Sequence, residues 1–138
     1  MIWDILEQKL IDTQLVVPAV SGTTLFRHTM PGTATKGVMF KNPLSGIPVD
    51  PYLPGFYKPN LQAIVRHIDP EAGDELSQQV IDALQVDEPE DFPETAKRGR
   101  VRIHVFYPNI LPIQFPRLEG NGFEWSLNFT TAFSIQRK

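Results

Sequence analysis

From Phe123 to Ile135 the sequence FEWSLNFTTAFSI alternates apolar and polar residues almost without a break. Phe123, Trp125, Leu127, Phe129, Thr131, Phe133 and Ile135 share one side of an extended chain. Glu124, Ser126, Asn128, Thr130, Ala132 and Ser134 share the other. At roughly 3.3 Å per residue such a strand is about 45 Å long, whereas ordinary strands run ~17–20 Å. No helix accommodates a period of two, so any fold for this chain must place a long, two-faced ribbon. The length predicts that Trp125, Leu127 and Phe129 pack a core, while Phe133 and Ile135 run on to a rim or a neighbouring subunit.

What surrounds the ribbon reads as an α+β arrangement. Trp3 to Ile11 carries Trp3, Leu6 and Leu10 at helical spacing. Residues 14–20 are an apolar run broken by Pro18, read as an edge strand or a linker. LFRHT and KGVMFK flank the turn-forming PGTAT and suggest a small hairpin. LQAIVRHI is a buried strand. Asp69-Pro70-Glu71 then opens a helix, because Asp69 can accept from free amides, Pro70 suits the first helical position and the acids favour the positive end of the dipole. Leu76, Val80, Ala83 and Leu84 supply its apolar stripe. VRIHVFY alternates as a strand with Val101, Ile103, Val105 and Tyr107 on one side, Arg102, His104 and Phe106 on the other. The expected architecture is a mostly antiparallel mixed sheet of about four to five strands with two helices packed on one face, formed as a single domain over residues 1–138.

Two segments fit neither element type. Residues 43–60 hold Pro43, Pro48, Pro51, Pro54 and Pro59, a density that forbids a helix and a central strand. Tyr52, Leu53, Phe56 and Tyr57 lie between the prolines, so the segment reads as an ordered arm pinned by side chains. Residues 86–94 form an acidic loop. From Asp69 to Glu94 the chain has ten acids and no Lys or Arg, leaving six acids against all thirteen bases elsewhere. Such a run is a solvated face or a surface that steers assembly.

Chemistry is harder to find. The absence of cysteine excludes disulfides, thiolate metal sites and cysteine nucleophiles. His28, His67 and His104 each stand alone, without the spacing that sets metal ligands on one face. No serine lies in a G-x-S-x-G elbow, and the acids lack the glycine of an EF-hand loop. Lys97, Arg98, Arg100 and Arg102 could meet phosphates, but a few bases beside an acidic loop make a weak nucleic-acid signature. No apolar run approaches ~20 residues, and MIWDILEQKL lacks the basic start of a signal peptide, so synthesis in the cytoplasm and no membrane partner are expected. Catalysis, metal and cofactors are not expected. A small α+β ligand-binding domain, with the aromatics of the last strand lining a cavity, is the alternative from a different class.

Two stretches resemble a known family. PYLPGFYKPNLQAIVRHIDPEAGDELSQQVIDAL (residues 51–84) is similar to the middle of phage minor capsid and tail terminator proteins, in which a strand ending in an Arg-containing segment turns through D-x-E-x-G into a helix. FPRLEGNGFEWSLNFTTAF (residues 115–133) resembles their closing loop and strand. The resemblance carries over Arg66, Asp69 and Gly73 as a fold signature. It implies a structural virion protein at the tail–head junction, a homohexameric ring that caps the tail tube, stops its polymerisation and joins it to the head. Its implied partners are further copies of itself, the tail tube protein, a head–tail connector, and genomic DNA threading the lumen without sequence-specific binding. Another neck or head-completion protein is the nearest alternative. The interface candidates are Arg98 and Arg100 meeting Asp87 and Glu88 of a neighbour, the arm residues Tyr52, Phe56 and Tyr57, and the strand end at Phe133 and Ile135.

Overall fold

The computed structural model describes residues 2–43, 46–117 and 122–137. Ten elements follow in chain order: α1 (Trp3–Thr13), β1 (Leu25–Arg27), β2 (Gly37–Lys41), β3 (Phe56–Tyr57), β4 (Asn60–His67), α2 (Pro70–Leu84), β5 (Glu90–Phe92), β6 (Val101–Pro108), β7 (Ile113–Pro116) and β8 (Phe123–Ile135). Eight strands join one curled sheet of order β1-β2-β4-β8-β6-β5, with β3 and β7 also paired to β8. The sheet is therefore larger than the four to five strands expected, while the two helices lie on one face as read.

β8 is the spine, and its length is used up inside the chain. Along one edge β4 pairs from His67↔Phe123 to Asn60↔Thr130, and β3 continues with Tyr57↔Phe133 and Phe56↔Ser134. Along the other edge β7 covers Phe123 to Ser126 and β6 covers Phe129 to Ile135. Two strands in series on each side fit a thirteen-residue ribbon. The expectation that its far end runs past the core is corrected here: Phe133 is fully buried, and Ile135 pairs with Val101.

The alternation itself holds. Trp125, Leu127, Phe129, Thr131 and Phe133 are buried beneath the helix layer. Partners in the sheet extend that face through Leu61, Ala63 and Val65 of β4 and Val38 and Phe40 of β2. Trp3 of α1 stacks on Phe40 at 5.8 Å between centroids, and Phe106 meets Phe129 at 4.8 Å. Each such fully buried aromatic contributes roughly 1.5–3 kcal/mol through surface removed from water.

The strand-to-helix signature has a mechanical basis. Asp69 caps α2 by accepting from the Glu71 amide at 3.0 Å, with Pro70 at the first helical position. Gly73 lets the helix settle on the sheet, since a Cβ there would overlap the Trp125 ring. The Trp125 indole donates to the Asp74 carboxylate at 2.7 Å, so the buried ring has a polar exit. Arg66, next to last in β4, lies on the opposite face of the sheet, donating to the carbonyls of Pro31 (2.8 Å) and Ala34 (3.1 Å) and pairing with Glu124 at 3.1 Å.

Four further expectations are corrected. β1 and β2 pair in parallel through Leu25↔Val38, so PGTAT is a crossover loop and no hairpin tip. α1 runs two residues beyond Ile11, to Thr13. The acidic loop at 86–94 contains β5, which pairs with β6 because Phe92 and Glu90 sit opposite Val101 and Ile103. A bulge between Ile103 and Val105 shifts the β6 register, so Phe106 turns inward while Val105 and Tyr107 face out. One inserted residue reverses a period-two pattern from that point onward.

Candidate assembly surface

The charged cluster pairs within the chain. Arg98 donates from Nε to Asp4 at 3.2 Å and from Nη2 at 3.0 Å, and its Nη1 donates to the carbonyls of Pro93 (2.9 Å) and Gly99 (3.0 Å). Partial burial opposes ionisation of Asp4, yet the Arg98 hydrogen bond and charge hold its carboxyl below the ordinary value. Arg98 thus fastens the segment before β6 to the start of α1. Arg100 lies 3.8 Å and Arg102 3.1 Å from Asp91 of the adjoining β5 strand. Lys9 pairs with Glu90 at 3.0 Å and also lies over the Phe92 ring. Asp87, accepting from the Gln85 side chain at 3.0 Å, and Glu88 are exposed beyond the end of α2.

The proline arm is rooted on β8 and projects from it. Gly55 adopts φ +80°, where a side chain would strain and would press on the Ile135 carbonyl. Its own carbonyl accepts from the Ile135 amide at 2.8 Å. Tyr57 packs on Phe133 at 5.7 Å, Phe56 lies 5.8 Å from His104, and the Pro59 carbonyl accepts from both the amide and hydroxyl of Thr131. Phe56, Tyr57, Phe133 and Ile135 therefore build the root. Outward of it, Asp50 accepts from the Tyr52 amide at 2.9 Å and from the Leu53 amide through its carbonyl, folding a turn whose Tyr52 is 89% exposed.

The helix-free face of the sheet carries apolar side chains that sequence reasoning did not select. Ile113 and Phe115 of β7 stand opposite Ser126 and Glu124, and Tyr107 of β6 stands opposite Thr130, so all three point away from the helices. Ile113 is 51% exposed and Tyr107 54%. Phe115, Arg66, Arg117, Glu124, Met30 and Gly32 line an open cleft of about 710 Å³ at the start of β8. Arg117 donates to the Gly32 carbonyl at 2.9 Å, so two arginines build the cleft and also brace the 31–34 loop. In the sequence, residues 108–122 read as an ordered loop from Pro108, Pro112, Pro116, Gly120 and Gly122, a reading corrected by β7 at Ile113–Pro116. Tyr107 was hidden by the bulge.

The edges of the sheet are short. β1 and β5 have three residues each, β7 has four between prolines, and β3 has two. Brief edges of this kind resist indiscriminate strand pairing.

The histidines serve structure. His28 meets Trp3 edge-on at 6.0 Å, His104 sits beside Phe56 and Ser134, and His67 accepts from the Asp69 amide through Nδ1 at 2.9 Å. Burial, then the charge of Lys36, push the His67 pKa below its ordinary value against the pull of Asp69. Among the described residues there is no group of three His, Asp or Glu placed to hold a metal ion. Among those same residues every buried side-chain nitrogen or oxygen has a hydrogen-bond partner, and no helix is long and apolar enough to cross a membrane. On the aromatic side of β8, Trp125, Phe129 and Phe133 are packed into the hydrophobic core.

In comparison with known proteins, residues 10–135 match a family model described as bacteriophage tail terminator protein. Among curated proteins, none matches the chain.

Proposed function

This chain belongs to the bacteriophage tail terminator family, and on that premise we propose that it forms a ring on the end of the tail tube, halts tube polymerisation and joins the tail to the head. The family is structural, and membership makes the chain a component of the phage tail. The observation that carries the finer reading is the sheet face left without a helix layer, on which Ile113, Tyr107 and Phe115 are exposed and Phe115 also lines an open cleft. Exposed apolar groups clustered on one face mark a contact surface.

In this reading the subunits associate head to tail, each giving one surface and receiving a different one. Closure of such contacts produces a cyclic ring, and six copies is the number the family resemblance implies. The tail tube protein lies on one side and a head–tail connector on the other. Genomic DNA passes through the lumen, met by backbone charge rather than base sequence. Replacing Arg98 with an acidic residue would not test this assembly, because Arg98 is tied to Asp4 and its loss would loosen the segment before β6 from α1.

The deciding experiment is tube growth in vitro with and without the protein, followed by electron microscopy. We expect tubes of bounded length with a six-fold cap at one end, and head joining only when the cap is present. Tubes that grow equally long with the protein, and heads that join tails lacking it, would overturn the reading.

A further inference from the structure

At the level of Phe133 the sheet runs β5-β6-β8-β3, so β5 and β3 are its two edges there. Backbone bonds in an antiparallel ladder alternate between the two sides of a strand. The Ile135 amide donates to the Gly55 carbonyl and the Thr131 amide to the Pro59 carbonyl, so Gly55, Tyr57 and Pro59 face β8. Phe56, Lys58 and Asn60 therefore turn their backbone groups outward. The Phe56 amide is taken by the Leu53 carbonyl, and β2 reaches along β4 only as far as Gln62. Among the described residues no backbone group bonds the Lys58 amide or carbonyl, and Lys58 and Asn60 are exposed.

The far edge has the same character. The Gln136 amide donates to the Arg100 carbonyl, which turns Arg100 and Arg102 toward β8 and leaves Val101 and Ile103 facing β5. Phe92 and Glu90 pair with those two, so Asp91 turns its amide and carbonyl outward between Pro89 and Pro93. An open cleft of about 460 Å³ borders Asp91, and one of about 550 Å³ borders Gly55 and Tyr57.

The two edges fit each other. Set antiparallel with Asp91 opposite Lys58, each amide of that pair meets the other's carbonyl, and the Asn60 amide meets the Pro89 carbonyl. The prolines fall at the ends of the pairing, where a missing donor costs least. Asp91 stands opposite Arg102 and Arg102 opposite Ser134, so its side chain is on the bare face. Lys58 follows Tyr57, whose ring packs on Phe133 on the helix side, so Lys58 is on the bare face too. Opposite charges thus meet on one face, while the half-buried rings of Phe92 and Tyr57 become a cross-strand pair on the other. β5 runs with β8 and β3 runs against it. A sheet continued from copy to copy in the same sense therefore meets antiparallel at this joint, as those bonds require. A two-fold pairing of like edges instead sets Lys58 against Lys58, or Asp91 against Asp91, which is unfavourable.

We propose that β5 of one subunit adds to the β3 edge of a second copy of this chain, with Asp91 opposite Lys58, so that the sheet continues from subunit to subunit. The proposal rests on the ring reading above and supplies its head-to-tail contact, which propagates until the ring closes. Proline and lysine at an edge turn away strands in general. Here they admit a strand that brings an acid to Lys58.

The chain has no cysteine, which makes site-directed cross-linking clean. Lys58→Cys and Asp91→Cys proteins are mixed and treated with a short bismaleimide, alone and in the presence of purified tail tubes. Cα atoms of such a pair stand about 5.5 Å apart, and the expected product is a covalent dimer linked 58 to 91. Lys58→Glu sets like charges opposite each other and is expected to weaken association at least tenfold by sedimentation velocity. Its circular dichroism and melting should stay at the parent values, since Lys58 is exposed. In the parent protein, hydrogen exchange of the 58 and 91 amides should slow at least tenfold on assembly. Assembly or tube capping without a 58–91 link, with Lys58→Glu unimpaired and neither amide slowed, overturns the edge pairing and leaves the ring reading standing. A 58–58 link, or a link from 58 to the tube protein, also overturns it, assigning this edge to a two-fold contact or to the tube. Failure of the parent protein to associate with itself or with tubes removes the ring reading and this contact together.

Discussion

The two faces of one sheet have been put to different uses. On the helix side Trp125, Phe129 and Phe133 are buried, and the Trp125 indole finds Asp74 as its outlet. On the bare side Ile113, Tyr107 and Phe115 keep much of their surface in water, and the polar groups there hold a loop in place instead of a helix. Both faces are read from alternate residues of the same strands. The difference teaches that stability is concentrated on one face, which leaves the other free to be selected for contact.

The sharpest way to break this comparison is to empty the packed face. Trp125→Ala removes the ring against which Gly73 lets α2 settle and leaves Asp74 without its donor. A loss of about 3–5 kcal/mol is expected from such a large-to-small change, measured by urea unfolding. A loss under 1 kcal/mol would mean that α2 does not depend on the Trp125–Gly73 contact, and the assignment of stability to this face would fall.

Arg66 tests whether the bare face also carries stability of its own. Arg66→Met keeps the aliphatic stem but abandons Glu124 and the carbonyls of Pro31 and Ala34. Hydrogen bonds to a charged group are worth about 1.5–3 kcal/mol, so a loss of about 2 kcal/mol is expected in the same measurement. Proteolysis near residues 30–36 should rise with it, since the loop loses its tether. Unchanged cleavage there would show that other contacts hold the loop.

How much of this division was visible in the sequence differs by element. β8 declared its buried face outright, because thirteen alternating positions leave one consistent register. α2 was equally plain, since Asp69, Pro70 and the apolar stripe act locally. The β6 pattern misled, because the extra residue before Val105 is fixed by pairing with β8, 30 positions away in sequence, and leaves no local mark. β1 and β2 read as a hairpin for a similar reason: a parallel pair and an antiparallel pair use the same β-forming residues. Of the interface candidates, Tyr52 is read with the side chains that pin the arm, yet it is 89% exposed and the pinning falls to Phe56 and Tyr57. Arg98 and Arg100 sit beside Asp4 and Asp91, acids of their own chain that a sequence cannot bring near. Phe133 was chosen for the length of β8, and that length is matched by β3 and β6 instead.

A smaller effect concerns the joint between the two regions, where β4 turns into α2. His67 accepts from the Asp69 amide through Nδ1, which only an unprotonated nitrogen can do. Burial first, and then Lys36, lower its pKa in the folded state despite Asp69. The unfolded chain therefore binds the proton more readily. Stability is full above the unfolded value of about 6.5 and declines as pH falls through the lower folded pKa. Urea midpoints measured from pH 8 to pH 5 should drop on the acid side, and His67→Asn should flatten that part of the curve. An identical slope in the variant would move the effect to another group.

The smallest effect on folding belongs to the bare face, and there the comparison is most exposed. Ile113→Ser and Tyr107→Ser remove side chains already half in water, so each should change unfolding free energy by only about 0.5 kcal/mol or less. If the face exists for contact, the same substitutions should reduce self-association and tube capping well beyond what that stability change explains. Sedimentation and capping assays on the double variant, set beside its melting curve, separate the two quantities. Equal and large losses in both would mean that the bare face is a second core, and the division of labour between the faces would have to be abandoned.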